Sequence, residues 1–233
     1  MLGKASVSPQ IWYARVGDEN EQFEHSVLEL LSSSELKRLD RIKSNSKRRE
    51  YLLSRALMRH ALSYHFKQAQ NEWIFVEQSN SPPKVSNLPA DYWLSLSHSH
   101  GAICFAISRQ AVGIDIERSG HRQNFSALAK VFMNSDELAL LHSQQQLMAD
   151  TFYRIWCAKE AFYKITPKAD QENLFFKKIA YIELAAGSSG FSLTAGNIDE
   201  HYLALVTQSM PANIDQTSAL TFQGSIPIRW RRE

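Results

Sequence analysis

An α+β fold is predicted by three features of the 233-residue sequence: a helical stripe over 47–66, a second over 149–165, and a pair of short strand-like runs after each. The helices lie roughly 100 residues apart, and so do the hairpins that follow them. Helix-then-hairpin occurring twice predicts two similar halves, 1–110 and 111–233, each a small antiparallel sheet packed with a long helix in a pseudo-twofold arrangement. No residue-by-residue repeat accompanies this layout, and the length fits one large domain or two small ones.

Taken in order, Ser32, Ser33 and Ser34 before Glu35 mark a helix start, with serine caps and an early acid. Over 47–66, Tyr51, Leu52, Leu57, Met58, Leu62 and Phe66 keep an apolar stripe at helical spacing. Pro82, Pro83 and Pro89 predict a loop over 79–89, because proline removes a backbone donor and restrains its neighbour. Strands follow over 92–97 and 102–107, joined by His98-Ser99-His100-Gly101, and a further strand over 111–117. Asn134-Ser135-Asp136-Glu137 reads as another helix start, and Pro167 ends the second long helix. The last hairpin is expected from 191–193 and 202–206 around a Gly196-Asn197 turn.

With 44% hydrophobic and 21% charged residues, the composition is that of a globular protein rather than a disordered or fibrous one. Cys104 and Cys157 stand at neither metal-ligand nor disulfide-framework spacing, which points to a reducing compartment. The absence of a leader-like segment and of a long apolar run predicts a cytoplasmic protein without membrane attachment. A net charge of +2 does not by itself argue for a polyanion partner. The charge is uneven, however: 37–59 carries nine lysines and arginines against Asp40 and Glu50. That stretch suits a phosphorylated ligand or an acidic protein, or else a solvated helix face.

Two constellations carry candidate chemistry. In Val112-Gly113-Ile114-Asp115-Ile116-Glu117, the strand period of two puts the three aliphatic residues on one face and Asp115 and Glu117 on the other. Neighbouring carboxylates repel unless a cation compensates, and Mg2+ takes such carboxylates together with waters and substrate phosphates. A strand end whose acids face water is the alternative. On the second long helix, Trp156, Glu160 and Lys164 form one ridge, while Lys159 falls inside the apolar arc beside Ile155, Phe162 and Tyr163. A lysine there must snorkel, pair with an acid or meet an anionic ligand.

Together the two segments resemble the paired signatures of the 4'-phosphopantetheinyl transferase superfamily, a G-I-D-x-E strand followed by W-x-x-K-E-A-x-x-K on a helix. Here they are Gly113, Ile114, Asp115 and Glu117 with Trp156, Lys159, Glu160, Ala161 and Lys164. Leu96-Ser97-His98-Ser99 is similar to the serine-histidine element of the monomeric surfactin-type branch, and the resemblance covers about 36–164. One departure is that Ser81-Pro82-Pro83 replaces the glycine-lysine-proline turn of many relatives, with Lys84 one position later.

The resemblance implies transfer of the phosphopantetheine arm of coenzyme A to a serine of an apo acyl or peptidyl carrier protein, releasing adenosine 3',5'-bisphosphate. It implies Mg2+, with Mn2+ as an alternative, on Asp115, Glu117 and Glu160; Asp115, Glu160 and Lys164 in catalysis; and Arg48, Arg55, Lys84, Ser97, His98 and Lys159 on coenzyme A. It also implies a monomer that needs no nucleic acid. The rival readings are another magnesium phosphotransferase using the same acids, or a nucleic-acid-binding module using 37–59 and the Arg229-Trp230-Arg231-Arg232 tail.

Overall fold

The structure is a computed structural model in which residues 9–17, 21–78, 81–120, 124–208 and 221–222 are described; the Arg229 to Arg232 tail lies outside them. Its elements are β1 (Gln10–Arg15), α1 (Glu21–Leu28), α2 (Ser33–Asp40), α3 (Asn45–Phe66), β2 (Phe75–Gln78), β3 (Ser81–Val85), β4 (Trp93–Ser99) and β5 (Ala102–Ser108), then β6 (Val112–Arg118), α4 (Phe125–Phe132), α5 (Ser135–Ser143), α6 (Met148–Ile165), α7 (Lys168–Gln171), α8 (Tyr181–Ala185), β7 (Phe191–Ile198), β8 (His201–Gln208) and β9 (Thr221–Phe222).

The sheets have orders β4-β5-β1-β9 and β6-β8-β7, with β2 and β3 as a separate ribbon. Among the described residues, every pairing apart from the parallel β1–β9 pair is antiparallel, so the fold is α+β as expected. A strand, a run of helices and a closing hairpin recur, with three helices and the β2–β3 ribbon between β1 and β4–β5 and five helices between β6 and β7–β8, and each time the second strand of the closing hairpin lies beside the first strand.

The same local device starts a short helix in each run. Ser32 and Glu35 form a capping box on α2, Asn134 and Glu137 one on α5. Both glutamates are fully buried and reach a cation on the following long helix: Glu35 pairs with Arg59 of α3 at 2.6 Å, and Glu137 with Lys159 of α6 at 2.6 Å. A residue that caps one helix therefore also clamps the next.

Three expectations shift. Ser81–Val85 is a strand rather than loop; as an edge in a two-stranded ribbon it tolerates Pro82 and Pro83, whose missing N–H groups are not all needed. The turn after β4 is only His100-Gly101, with φ of 48° and 81°, so pairing continues to Ser99 opposite Ala102. The last hairpin turns at Asp199-Glu200, with Asp199 at φ 50°, and Gly196 instead pairs with Leu203 inside the sheet.

β6 lies at the centre of the site. Val112, Ile114 and Ile116 pack with Ile11, Tyr13 and Cys104 of the first sheet. On the opposite face, a Cβ at Gly113 would meet the Ala161 carbonyl oxygen at 1.8 Å, so only glycine lets α6 approach this closely. That approach sets α6 directly over the carboxylates of β6.

Candidate functional site

β4 joins the two sheets through side chains. Ser95, Ser97 and Ser99 alternate along one buried face, as period two requires, and their hydroxyls accept the N–H groups of Ile114, Ile116 and Arg118 at 3.0, 3.2 and 3.3 Å. The same hydroxyls donate onward, Ser97 to Asp115 Oδ1 at 2.8 Å and Ser99 to Glu117 Oε2 at 2.9 Å. From α6, Lys164 Nζ reaches Asp115 Oδ1 at 2.8 Å and the Ile114 carbonyl at 3.1 Å, and the Trp156 indole donates to Glu117 Oε1 at 3.1 Å. Three segments distant in sequence thus meet on two carboxylates.

The acids do not end in open water. Asp115 is buried, and its Oδ2 has no hydrogen-bond partner. Nearby, burial first and then the charges of Asp115 and Glu117 push the Cys157 thiol far up, so it stays protonated. Glu160 is half-buried on α6, one turn before Lys164. Among the described residues, no three His, Cys, Asp or Glu side chains gather as a metal site. The donor chemistry nevertheless fits a hard divalent cation, because the acids are oxygen donors and one buried carboxylate oxygen is left unsatisfied.

Lys159 requires a correction. It is fully buried as the helical wheel requires, but its ammonium meets Glu137 and the carbonyls of Phe132 and Phe176 at 3.1 and 2.9 Å. These contacts use its three donors, so Lys159 holds α5 and the 176–178 turn against α6 rather than clamping a phosphate. Burial pulls its pKa below the usual value, and Glu137 opposes that shift.

A cavity of about 500 Å3 opens on the other face of β4, lined by Arg38, Lys47, Glu50, Arg55, Pro83 and His98 among others. Ser97 and His98, neighbours in sequence, therefore face opposite sides: Ser97 towards β6, His98 towards the cavity. Glu50 receives the Gly101 N–H at 2.9 Å and lies 3.4 Å from His98 Nδ1. Burial pushes the Glu50 carboxyl up, but the His98 and Gly101 hydrogen bonds outweigh it and hold the pKa below its usual value. Arg55 lines the cavity while pairing with Glu77 and Glu35, whereas Arg48 is held by Glu24 at 3.1 Å. Lys84 is exposed, pairs across the ribbon with Val76, and is not on the cavity wall, where Pro82 and Pro83 stand instead. With Arg48, Arg55 and Arg59 all ion-paired, 37–59 is not an unbroken basic face.

Sequence reasoning missed Glu35, Glu50, Glu137 and Ser99. The capping patterns signalled both helix starts but not the long-range ion pairs. The alternation of Ser95, Ser97 and Ser99 with Leu94, Leu96 and His98 was a visible sign that one strand face is polar and engaged.

On the far side of Trp156 is an apolar groove of about 520 Å3, with Leu128, Val131, Phe132, Phe175 and Phe176 in its walls. Val131 is 75% and Phe175 66% exposed, and the exposed Lys130, Lys177 and Lys178 stand nearby in sequence. No helix among the described residues is long and apolar enough to cross a membrane.

The sequence pattern of the 4'-phosphopantetheinyl transferase superfamily matches residues 111–219, which contain β6, α6 and the second sheet. The chain is 33% identical over 121 residues to the 4'-phosphopantetheinyl transferase psf-1 of Bacillus pumilus, covering 52% of this chain and 51% of that one. It is 28% identical over 148 residues to the 4'-phosphopantetheinyl transferase Sfp of Bacillus subtilis, covering 63% of each. A Synechocystis sp. protein provisionally named a 4'-phosphopantetheinyl transferase is 26% identical over 222 residues, 87% of this chain and 89% of its own. The chain thus spans about half the length of the first of these relatives and under two thirds of the second.

Proposed function

We propose that the chain, which matches the 4'-phosphopantetheinyl transferase superfamily over residues 111–219, transfers 4'-phosphopantetheine from coenzyme A to a serine of an apo acyl or peptidyl carrier protein. The observation that carries this reading is the meeting on Asp115 Oδ1 of Ser97 from β4 and Lys164 from α6, each at 2.8 Å. An acid, a hydroxyl and a partly exposed ammonium thus meet at one point, beside the second acid of the strand.

Asp115, Glu117 and Glu160 would hold Mg2+, with Mn2+ as an alternative, which when bound neutralises the pyrophosphate of coenzyme A. Glu160 takes the proton of the carrier serine, directly or through a water. The serine oxygen forms the new bond to the phosphorus nearer the pantetheine, the bridging phosphoanhydride bond breaks, and adenosine 3',5'-bisphosphate departs. Lys164 follows that charge, its ammonium exchanging a contact with Asp115 for the leaving phosphate. Arg38, Lys47 and His98 on the cavity wall suit the nucleotide end of coenzyme A, with Glu50 orienting His98.

The apolar groove suits the carrier. It adjoins the acids through Trp156, and the lysines around it complement a carrier surface that is acidic around its serine. The chain is read as two halves, 1–110 and 111–233, related by a pseudo-twofold, a division that the placing of β5 beside β1 and of β8 beside β6 supports; a monomer in the cytoplasm completes the proposal.

Intact-protein mass spectrometry of an apo carrier protein incubated with this protein, coenzyme A and Mg2+ tests the reading. A gain of one phosphopantetheine that EDTA abolishes is expected. No gain with either acyl or peptidyl carriers would overturn it.

A further inference from the structure

The serine ladder between β4 and β6 has a regularity that separates structural from functional contacts. Ser95, Ser97 and Ser99 accept from Ile114, Ile116 and Arg118, a constant offset of nineteen positions, so the two strands advance in parallel with hydroxyls standing where carbonyl acceptors would be. A hydroxyl that accepts an N–H still has its own hydrogen to donate. In each step the partner one residue earlier on β6 is the natural recipient: Asp115 for Ser97, Glu117 for Ser99. For Ser95 that position is Gly113, which has no side chain. Ser95 thus makes the backbone contact alone, and Ser99 makes the same contact while also holding a carboxylate.

Glu117 needs such a hold more than Asp115 does. It has one more rotatable bond and sits towards the end of its strand, where burial is only partial. Ser99 fixes Oε2 and the Trp156 indole fixes Oε1, so β4 and α6 grip the carboxylate from two sides. Both of these donors are neutral, so neither competes with a cation through its charge. Ser99 is itself anchored: it is buried, and its carbonyl oxygen lies 3.1 Å from Nε2 of the buried His201. With the Ser99 hydrogen committed to Glu117, His100 Nδ1, 3.1 Å from the hydroxyl, acts as donor towards it.

We infer that Ser99 is a positioning residue for the divalent cation: its hydroxyl, with the Trp156 indole, orients the Glu117 carboxylate for binding, whereas Ser95 serves the strand contact only. The inference rests on the cation reading proposed above and adds to it a residue that touches neither metal nor substrate.

Mn2+ binding to the full chain, followed by electron paramagnetic resonance, tests it alongside the Mg2+ dependence of transfer. Ser99→Ala is expected to weaken Mn2+ binding about tenfold and to raise the Mg2+ concentration for half-maximal transfer by a similar factor. The rate at saturating Mg2+ should stay within about twofold of the starting protein, because the lost hydrogen bond orients the ligand rather than the reacting atoms. Ser99→Thr restores the hydroxyl and the affinity. Ser95→Ala loses a comparable ladder contact yet leaves Mn2+ affinity unchanged. If Ser99→Ala does not fold, Ser99→Cys, close in shape but a weak donor, is expected to show the same loss. Unchanged Mn2+ affinity in Ser99→Ala or Ser99→Cys, or an equal loss in Ser95→Ala, overturns the assignment while leaving the transferase reading intact. A starting protein that transfers without binding Mn2+ removes the cation reading and this assignment with it; one that neither transfers nor binds Mn2+ removes the proposed function as well.

Discussion

Gly113 and Ala161 meet backbone to backbone: a Cβ on the glycine would fall 1.8 Å from the alanine carbonyl oxygen and 2.9 Å from its carbonyl carbon. No side-chain rotation relieves that overlap, so a larger residue must push α6 away from β6. Gly113→Ala is expected to destabilise the protein by about 3 kcal/mol, read as a lowered urea midpoint. Because Lys164 lies three residues beyond Ala161, transfer should fall more than the folded fraction does. Unchanged stability and rate would mean that the helix can lift without cost.

Lys159 and Glu137 form a buried pair whose other contacts are all to protein groups. Lys159→Met leaves Glu137 charged and without its cation, at a cost of about 3–5 kcal/mol. Adding Glu137→Gln should recover part of that loss, since the amide carbonyl still accepts hydrogen bonds. Coenzyme A affinity of the folded double variant, measured calorimetrically, is expected to stay within about threefold. A large loss of affinity would return Lys159 to the phosphate.

Lys164→Ala removes the ammonium that follows the departing charge. The expected result is a fall in kcat of about a hundredfold, with a much smaller change in coenzyme A affinity. Asp115→Ala should abolish transfer while the fold, monitored by circular dichroism, persists. Wild-type-like rates in either variant would contradict the assigned roles.

His201 predicts a pH effect on stability. Burial lowers its pKa below the ordinary 6.5; the contact with the Ser99 carbonyl opposes this, while Arg15, Arg118 and His100 reinforce it. The unfolded chain therefore binds a proton at a pH where the folded chain does not. The neutral imidazole's contribution is fully present above pH 6.5 and is lost as pH falls from there through the lowered folded value. His201→Gln should flatten this part of the profile, measured as urea midpoints between about pH 7 and pH 5. An equally steep profile in the variant would assign the acid sensitivity elsewhere.

Val131 is an exposed apolar side chain beside the groove that Trp156 closes. If a carrier docks there, Val131→Asp should raise KM for the carrier about tenfold, through a lost apolar contact and repulsion of an acidic surface. Its KM for coenzyme A and its melting temperature should change little. An unchanged carrier KM would place docking on another surface.

Much of this protein follows from local patterns. Serine and asparagine caps three residues before glutamates located two helix starts, apolar stripes located the long helices, and alternation along 112–117 put the aliphatic residues and the acids on opposite faces. Spacing also showed Lys159 to be out of place on a solvent-exposed side, because helical periodicity alone sets that position.

What a lysine meets once buried is another matter. Lys159 finds Glu137 and two carbonyls because α5 and the 176–178 turn close over α6, and no spacing within one helix specifies that closure. The same holds for Ser97 and His98, which share a motif yet serve opposite faces of β4, and for Ser99, whose partner is set by the register of a strand nineteen residues on. Periodicity is a property of the chain and can be read along it. Partnership depends on distances across the fold, where the close approach at Gly113 and the parallel run of β4 with β6 decide which carboxylate each donor reaches.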